Sequence, residues 1–264
     1  MENKYIPEKA KILDIIKHTE KEWTFRVEKN SDKVLPGQFY EISIPKFGES
    51  PISVCGFTDE YIDFTIRNVG KVTKELYNYK IGDSLFVRGP YGNGFDVNLY
   101  KGRELIIVSG GSALAPVRGI VEHFYNNVNT CEKLNLISGF RSPEDVLFKD
   151  DLKKWADKLD VLVTVDGARE DYTGNVGLVT KYIPELEIKD IDNVSAVIVG
   201  PPIMMKFAIA EAKKRGIAEE NIWVSYERKM CCGLGKCGHC KIDDKYICID
   251  GPVFNYAEAK NLVD

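Results

Sequence analysis

The sequence has no apolar run approaching the length of a membrane span, no strong excess of charge of one sign, no internal repeat and no low-complexity segment. Each absence removes a class of function. A net charge of −4 is too mild for a surface that neutralises nucleic-acid phosphates. No nucleic-acid partner and no membrane association are therefore expected. Residues 1–11 are polar and lack the apolar core of a signal peptide, so a cytoplasmic location is expected. What is present is a chain of 264 residues, 44% hydrophobic and 29% charged, long enough for two domains and a small appendage.

Cysteine is where composition becomes informative. Of seven cysteines, five (Cys231, Cys232, Cys237, Cys240 and Cys248) fall within 18 residues near the C-terminus. A secreted disulfide framework would spread them more evenly, whereas a dense cluster in a cytosolic chain points to metal. Cys232, Cys237, Cys240 and Cys248 have the spacing C-x4-C-x2-C-x7-C, which opens like that of plant-type [2Fe–2S] ferredoxins. Two irons need four thiolates, three of them from one tight loop, and Gly233, Gly235 and Gly238 let the backbone close around them. Backbone N–H groups can then point at the sulfurs. A structural zinc site stays open, although only one C-x2-C pair is present. Rieske-type ligation is suggested by His239 but would need a second Cys/His pair, and a redox or disulfide role is also open. Cys231 is set aside as a ligand, and Cys55 and Cys131 read as small apolar residues.

The pattern along the chain predicts three regions. Residues 23–27, 38–44, 62–66 and 84–87 are short and rich in β-branched or aromatic residues, with Pro/Gly turns between them. They predict a small antiparallel barrel over 1–98, interrupted by a helix near 72–79. From residue 99 to 225 strands alternate with helices, giving a doubly wound parallel sheet. Its strands are expected at 105–108, 134–139, 161–165, 194–199 and 223–225, with helices near 115–127, 143–158 and 202–215. Residues 226–264 lack periodicity and read as a metal-organised lobe.

Three further motifs are weak taken singly. Ser50-Pro51-Ile52-Ser53 sits at the end of an expected barrel strand. Arg67-Asn68-Val69-Gly70-Lys71-Val72-Thr73 leads into the 72–79 helix, where unpaired N–H groups and the helix dipole favour an anion, although such a start is commonly only a cap. In the α/β region, Gly110-Gly111-Ser112-Ala113 follows one strand and Gly200-Pro201-Pro202 another. Both turns lie where a dinucleotide approaches an open sheet, although a bare Gly-Gly turn is commonly structural.

The order of these motifs, with Gly89-Pro90-Tyr91-Gly92-Asn93-Gly94-Phe95 and the run from Gly139 through Arg141 to Asp145, resembles the ferredoxin–NADP reductase superfamily. Within it the chain looks like the branch with a C-terminal [2Fe–2S] lobe, which includes dihydroorotate dehydrogenase electron-transfer subunits. The likeness is strongest to the anaerobic sulfite reductase B subunits, carried by residues 66–73, 199–204, 222–228, 235–240 and 250–256. The resemblance implies FAD in the barrel, with Pro51, Ile52 and Ser53 along the isoalloxazine, Arg67, Asn68, Val72 and Thr73 serving its ribityl and phosphate part, and Ser50, Gly70 and Lys71 as further cofactor-binding residues. It implies NADH or NADPH at Gly110, Gly111, Gly200 and Pro201, with Arg141 and Asp145 as further contacts. No side chain is nominated as catalytic, because the cofactors carry the chemistry: hydride to flavin, then single electrons to the cluster. The expected partners are iron–sulfur and siroheme subunits of a sulfite reductase complex, with a dihydroorotate dehydrogenase or cytoplasmic hydrogenase complex as the alternative. Two departures from the pattern stand out. Many superfamily members carry an arginine at the position of Ser50 that pairs with the flavin pyrophosphate, so Arg67 or Lys71 would have to supply that charge. Ala113 replaces a third glycine of the nicotinamide turn. The missing arginine and the seven-residue gap between Cys240 and Cys248 argue against the dihydroorotate dehydrogenase alternative.

Overall fold

The computed structural model describes residues 5–29 and 33–262. The chain forms two compact units. One comprises the residues up to Phe95 together with Tyr226–Val253, so the cysteine segment packs with the barrel region. The other comprises Asp96–Ser225 and Phe254–Asn261.

The first unit is built on a closed antiparallel barrel of six strands: β1 (Glu8–Lys17), β2 (Glu22–Glu28), β3 (Phe39–Ile44), β4 (Gly48–Phe57), β5 (Tyr61–Arg67) and β6 (Ser84–Tyr91), in the order β1-β2-β5-β4-β3-β6. Alternate residues point inward, as the two-residue period of a strand requires. Phe25 and Val27, Tyr40, Ile42 and Ile44, Ile62, Phe64 and Ile66, and Leu85 and Val87 form one core. A short helix α1 (Lys71–Leu76) adds Val72 and Leu76 to it. Sequence reasoning missed β1, where the adjacent apolar pairs Ile12-Leu13 and Ile15-Ile16 break the alternation. It also placed Ser50–Ser53 at the end of a strand, whereas these residues lie within β4. Pro51 is tolerated there because β4 pairs with β3 over Gly48–Ser53 but with β5 only from Val54 onward. A residue without an N–H fits a stretch with one strand neighbour.

The cysteine segment is tied to this barrel at the end of β6. Asn93 donates its backbone N–H to Gly251 O (2.5 Å) and its side-chain amide to Asp250 O (2.6 Å). Gly92 makes the approach feasible: it has φ +71°, and a Cβ there would lie 2.6 Å from both Gly251 O and Pro252 Cδ.

The second unit holds a seven-stranded sheet: β7 (Glu104–Gly110), β8 (Lys133–Phe140), β9 (Asp160–Val165), β10 (Asn175–Val176), β11 (Val194–Val199), β12 (Ile222–Ser225) and, after the cysteine segment with its β13 (Lys241–Ile242) and β14 (Lys245–Tyr246), β15 (Val253–Asn255). The order is β10-β9-β8-β7-β11-β12-β15, and the pairs from β10 through β12 are parallel. β7 and β11 are buried or nearly so along their length, as central parallel strands covered on both faces must be. The helices are α2 (Leu114–Asn126), α3 (Lys149–Ala156), α4 (Pro202–Lys214) and α5 (Tyr256–Ala259). The helix expected over 143–158 is shorter: a 3-10 turn at Pro143–Asp145 comes first, and Phe148 at φ +52° precedes α3. Among the described residues no helix is long and apolar enough to cross a membrane.

Gly92→Ala is expected to lower unfolding free energy by more than about 2 kcal/mol, because left-handed strain of about 1–2 kcal/mol adds to the clash with backbone. Gly102 has a similar φ of +67° with nothing within 4 Å of a built Cβ. Gly102→Ala should therefore show only the strain. Denaturant midpoints of the two variants check this, and equal losses would count against the close approach.

Candidate functional site

The geometry of the cysteine loop follows from its local sequence. Gly233, Gly235 and Gly238 all have positive φ, between +66° and +81°. The turn they make brings the backbone N–H groups of Leu234 (3.3 Å) and Lys236 (3.4 Å) onto Cys232 Sγ and that of Gly235 onto Cys248 Sγ (3.2 Å). The seven-residue gap is a miniature hairpin. β13 and β14 pair Ile242 with Lys245 around Asp243-Asp244, and Asp243 takes the left-handed conformation that aspartate tolerates. The ribbon then returns the chain: Ile247 donates to Cys240 O (3.2 Å), and Cys248 Sγ comes to 3.3 Å from Cys240 Sγ.

Cys240 and Cys248 are thus direct neighbours, and the Cys232 side chain stands close enough to Cys237 to help lower its thiol, so the four fall into two pairs. All seven cysteines are free thiols. Among the described residues, no three His, Cys, Asp or Glu side chains gather round a single point. Burial, with Cys240 beside it, pushes the Cys248 thiol up to about 12, whereas the backbone N–H of His239 holds Cys237 below its ordinary value. Loading the loop with metal therefore has to displace the proton of Cys248. Cys231 is exposed, and what it contributes to the fold is its carbonyl.

Sequence reasoning missed the residues on which this loop rests. Arg88 on β6 is 5% exposed and bonds bidentately to Glu49 of β4, with Nε to Oε1 at 2.9 Å and Nη2 to Oε2 at 2.7 Å. The same guanidinium donates to Cys232 O (2.5 Å), Cys231 O (3.0 Å) and the Tyr91 hydroxyl (3.3 Å). The Tyr91 ring underlies Gly233, where a Cβ would meet it at 2.8 Å. Burial pulls Arg88 down, but its bonds to Glu49 and Tyr91 outweigh that and hold it above its ordinary value. The Arg88 bond correspondingly lowers Glu49. Glu41 is fully buried opposite Arg88 in the β3–β6 register, and neither carboxylate oxygen has a partner. Burial raises it to about 7 despite the opposing field of Arg88.

On the barrel, the pleat divides the Ser50–Ser53 motif. Pro51 pairs with Glu41 and Ser53 with Phe39, whereas Ser50 and Ile52 pair with the core residues Ile42 and Tyr40. Directly paired residues share a face, so Ser50 and Ile52 lie on the opposite side from Pro51 and Ser53. α1 lies against β4 and β3. At its start the Thr73 hydroxyl accepts from the backbone N–H groups of Gly70 (2.8 Å) and Val69 (3.1 Å), the capping role foreseen for it. Arg67 is paired with Glu22 of β2 at 3.2 Å, which offsets part of its charge, while Asn68 N is bonded to Lys21 O. Lys71 is exposed, with its ammonium 5.7 Å from the Phe47 ring.

In the α/β unit the glycine turns do converge. β7 and β11 are adjacent, with Ser109 paired to Val199, so Gly110 and Gly200 leave the same edge of the sheet side by side. A Cβ on Gly200 would lie 3.3 Å from Gly110 N, and a Cβ on either glycine would meet Met204 Sδ at 2.9 Å or less. Gly111, at φ +60°, has open space where its Cβ would be. Arg141 leaves the same edge one strand over, at the end of β8, and is exposed; Asp145 accepts from the Ser142 hydroxyl at 3.0 Å. Buried Ser109 and Ser138 bond to each other at 2.8 Å across β7 and β8, just before these ends. The Ser-Gly pair repeated in both strands was the signal for them.

A carboxyl edge of glycine turns on a parallel sheet, with a loop of paired thiols on a barrel, defines an oxidoreductase subunit that joins nucleotide binding to iron–sulfur binding. Comparison with known proteins agrees. Residues 107–209 match the oxidoreductase NAD-binding domain, and residues 227–260 match the iron–sulfur cluster binding domain of dihydroorotate dehydrogenase B. The chain is 36% identical to the sulfhydrogenase 2 subunit gamma of Pyrococcus furiosus over 97% of both chains. It is 34% identical to the electron transfer subunit of dihydroorotate dehydrogenase B (NAD(+)) from Clostridium perfringens, over 96% of this chain and 97% of that one. Among solved structures, an NADH-dependent reduced ferredoxin-NADP oxidoreductase studied for flavin-based electron bifurcation superposes with a TM-score of 0.79 at 28% identity, covering 94% of this chain and 88% of that one. The chain belongs to the family of sulfhydrogenase gamma subunits and dihydroorotate dehydrogenase B electron transfer subunits. The seven-residue cysteine gap and Ser50, taken from sequence as arguments against the dihydroorotate dehydrogenase relatives, do not separate the chain from them: the cluster-domain match spans the gap, and the pairwise match spans both.

Glu41 gives a pH test of the buried network. Its folded value of about 7 stands above the ordinary 4.5, so the folded state holds a proton that the unfolded chain releases between these values. The stabilisation is complete below 4.5 and is lost as pH rises through 7. Glu41→Gln, which stays neutral, should therefore gain on the wild type by roughly 2–3 kcal/mol between pH 4.5 and pH 8. Unfolding curves across that range check it, and a constant difference would refute the buried-acid assignment.

Proposed function

We propose that this chain is the electron-transfer subunit of a heteromeric redox enzyme. It takes reducing equivalents from NADH or NADPH in the α/β unit and passes them on through FAD and a [2Fe–2S] cluster in the barrel unit. The observation that carries this reading is the division of Cys232, Cys237, Cys240 and Cys248 into two pairs with backbone N–H groups on the sulfurs. Two irons, each needing two protein thiolates, suit that arrangement better than one zinc ion needing four donors round one centre. For the flavin, the fit rests on the part of β4 that pairs on one side only, beside α1. Pro51 and Ser53 from one face of β4, with the chain at Ile52, would lie along the ring system there, and Arg67, Asn68, Val72 and Thr73 would serve its ribityl and phosphate part, with Ser50, Gly70 and Lys71 as further contacts. Gly110, Gly111, Gly200 and Pro201 would take the nicotinamide nucleotide, with Arg141 and Asp145 beside them. When bound, these groups supply the exchange between a two-electron hydride carrier and one-electron acceptors.

The partner is read as an iron–sulfur or flavin redox subunit of the sulfhydrogenase or dihydroorotate dehydrogenase kind, on the strength of the relatives. A sulfite reductase complex, with its iron–sulfur and siroheme subunits, is the second reading, supported by the motif runs at residues 66–73 and 250–256. Native purification of the tagged chain, with the co-eluting subunits identified, separates the two.

The purified chain should hold about two irons and show flavin and cluster absorption that bleaches anaerobically with NADH or NADPH. Serine at any one of Cys232, Cys237, Cys240 or Cys248 should abolish or strongly reduce the iron content, whereas Cys231→Ser should keep it. A colourless zinc protein would overturn the cluster reading. Gly111→Ala, which adds a methyl group in the open space of the turn, should weaken nucleotide binding by about tenfold (~1.4 kcal/mol) with iron and flavin unchanged. Stopped-flow reduction with each nucleotide measures this.

A further inference from the structure

Arg88 is a buried charge that the function proposed above leaves unassigned. A guanidinium has five N–H bonds. In Arg88 all five are used, two on Glu49, one on Tyr91 and two on the carbonyls of Cys231 and Cys232. A strut whose task was only to stabilise the barrel would be expected to satisfy Glu41, the fully buried carboxyl across the same strand pair. Glu41 receives none of these bonds. The guanidinium is aimed instead at the peptide that carries the first cluster thiol, with Glu49 behind it as counter-charge.

We propose that Arg88 is a positioning residue that sets the reduction potential of the [2Fe–2S] centre. It does so by pinning the Cys231–Cys232 backbone and by holding a permanent positive charge against the ligand loop, with Glu49 moderating that charge. The proposal rests on the cluster reading given above. Reduction adds one negative charge to the cluster, so a nearly buried cation beside the loop favours the reduced state and a carboxylate opposes it. A guanidinium suits the role because it stays charged at every working pH and its planar fork fixes its orientation.

The test is an EPR-monitored redox titration of the full-length protein carrying its cluster, with iron content measured on each sample. Arg88→Gln should lower the potential by about tenfold in the one-electron equilibrium constant, which is about 59 mV. Arg88→Lys, which keeps the charge, should recover most of that shift. Glu49→Gln keeps a hydrogen-bond acceptor for Arg88 but removes the counter-charge, and should shift the potential upward. Opposite signs for Arg88→Gln and Glu49→Gln are what a purely structural strut does not produce. An unshifted potential in Arg88→Gln at full iron content overturns the proposal. So does a downward shift in both variants, as a merely loosened loop would give. Should Arg88→Gln lose its iron, Glu49→Gln decides alone: an upward shift supports the role, and no shift or a downward one refutes it. A wild-type protein without a [2Fe–2S] signal fails the cluster reading itself and removes the proposal with it, a result seen before any variant is compared.

Discussion

A loop that presents four thiols cannot also supply its own hydrophobic core, and the architecture of the first unit follows from that constraint. Between Tyr226 and Val253 the only regular pairing is the two-residue ribbon of β13 and β14. The segment is held by the barrel instead: Asn93 bonds to Asp250 and Gly251, the Tyr91 ring lies under Gly233, and Arg88 grips the carbonyls of Cys231 and Cys232. These attachments come from the last four residues of β6 and the residues just after it. One strand end thus fixes where the thiols stand.

Arg88 and Glu49 hold opposite charges against each other on adjacent parts of the barrel wall. A pair of this kind gains little stability where water competes, but here Arg88 is almost fully enclosed. Breaking the pair would leave a buried charge without its partner, so the sequence is constrained at both positions. Glu41 shows the complementary case, a carboxyl enclosed with no partner and therefore kept near neutrality. Two acids on neighbouring strands thus take different charge states from their surroundings alone.

The α/β unit solves a separate problem with separate means. Its carboxyl edge is made of backbone there, because Gly110 and Gly200 must pass within a methyl group of each other and of Met204. Side chains enter mainly as bracing, as in the buried Ser109–Ser138 pair one residue before the glycine turn. Such an edge leaves room for a ligand to lie on the chain itself, which is what supports the nucleotide reading proposed for it.

The sequence by itself determined what depends on local order: the cysteine spacing, the glycine turns at strand ends, the alternation that makes β2, β5 and the parallel strands, and the cap formed by Thr73. Each is a property of residues a few positions apart, where chain geometry leaves few choices. Only the tertiary structure decided which cysteines neighbour one another, that the pleat sends Ser50 and Ile52 to one face and Pro51 and Ser53 to the other, and that Arg67 is already engaged by Glu22. It also decided that Arg88 and Cys232, 144 positions apart, form one hydrogen-bonded group. Contacts at that separation leave no periodicity or spacing in a single chain, because they are set by how the barrel closes and where the returning segment lands on it.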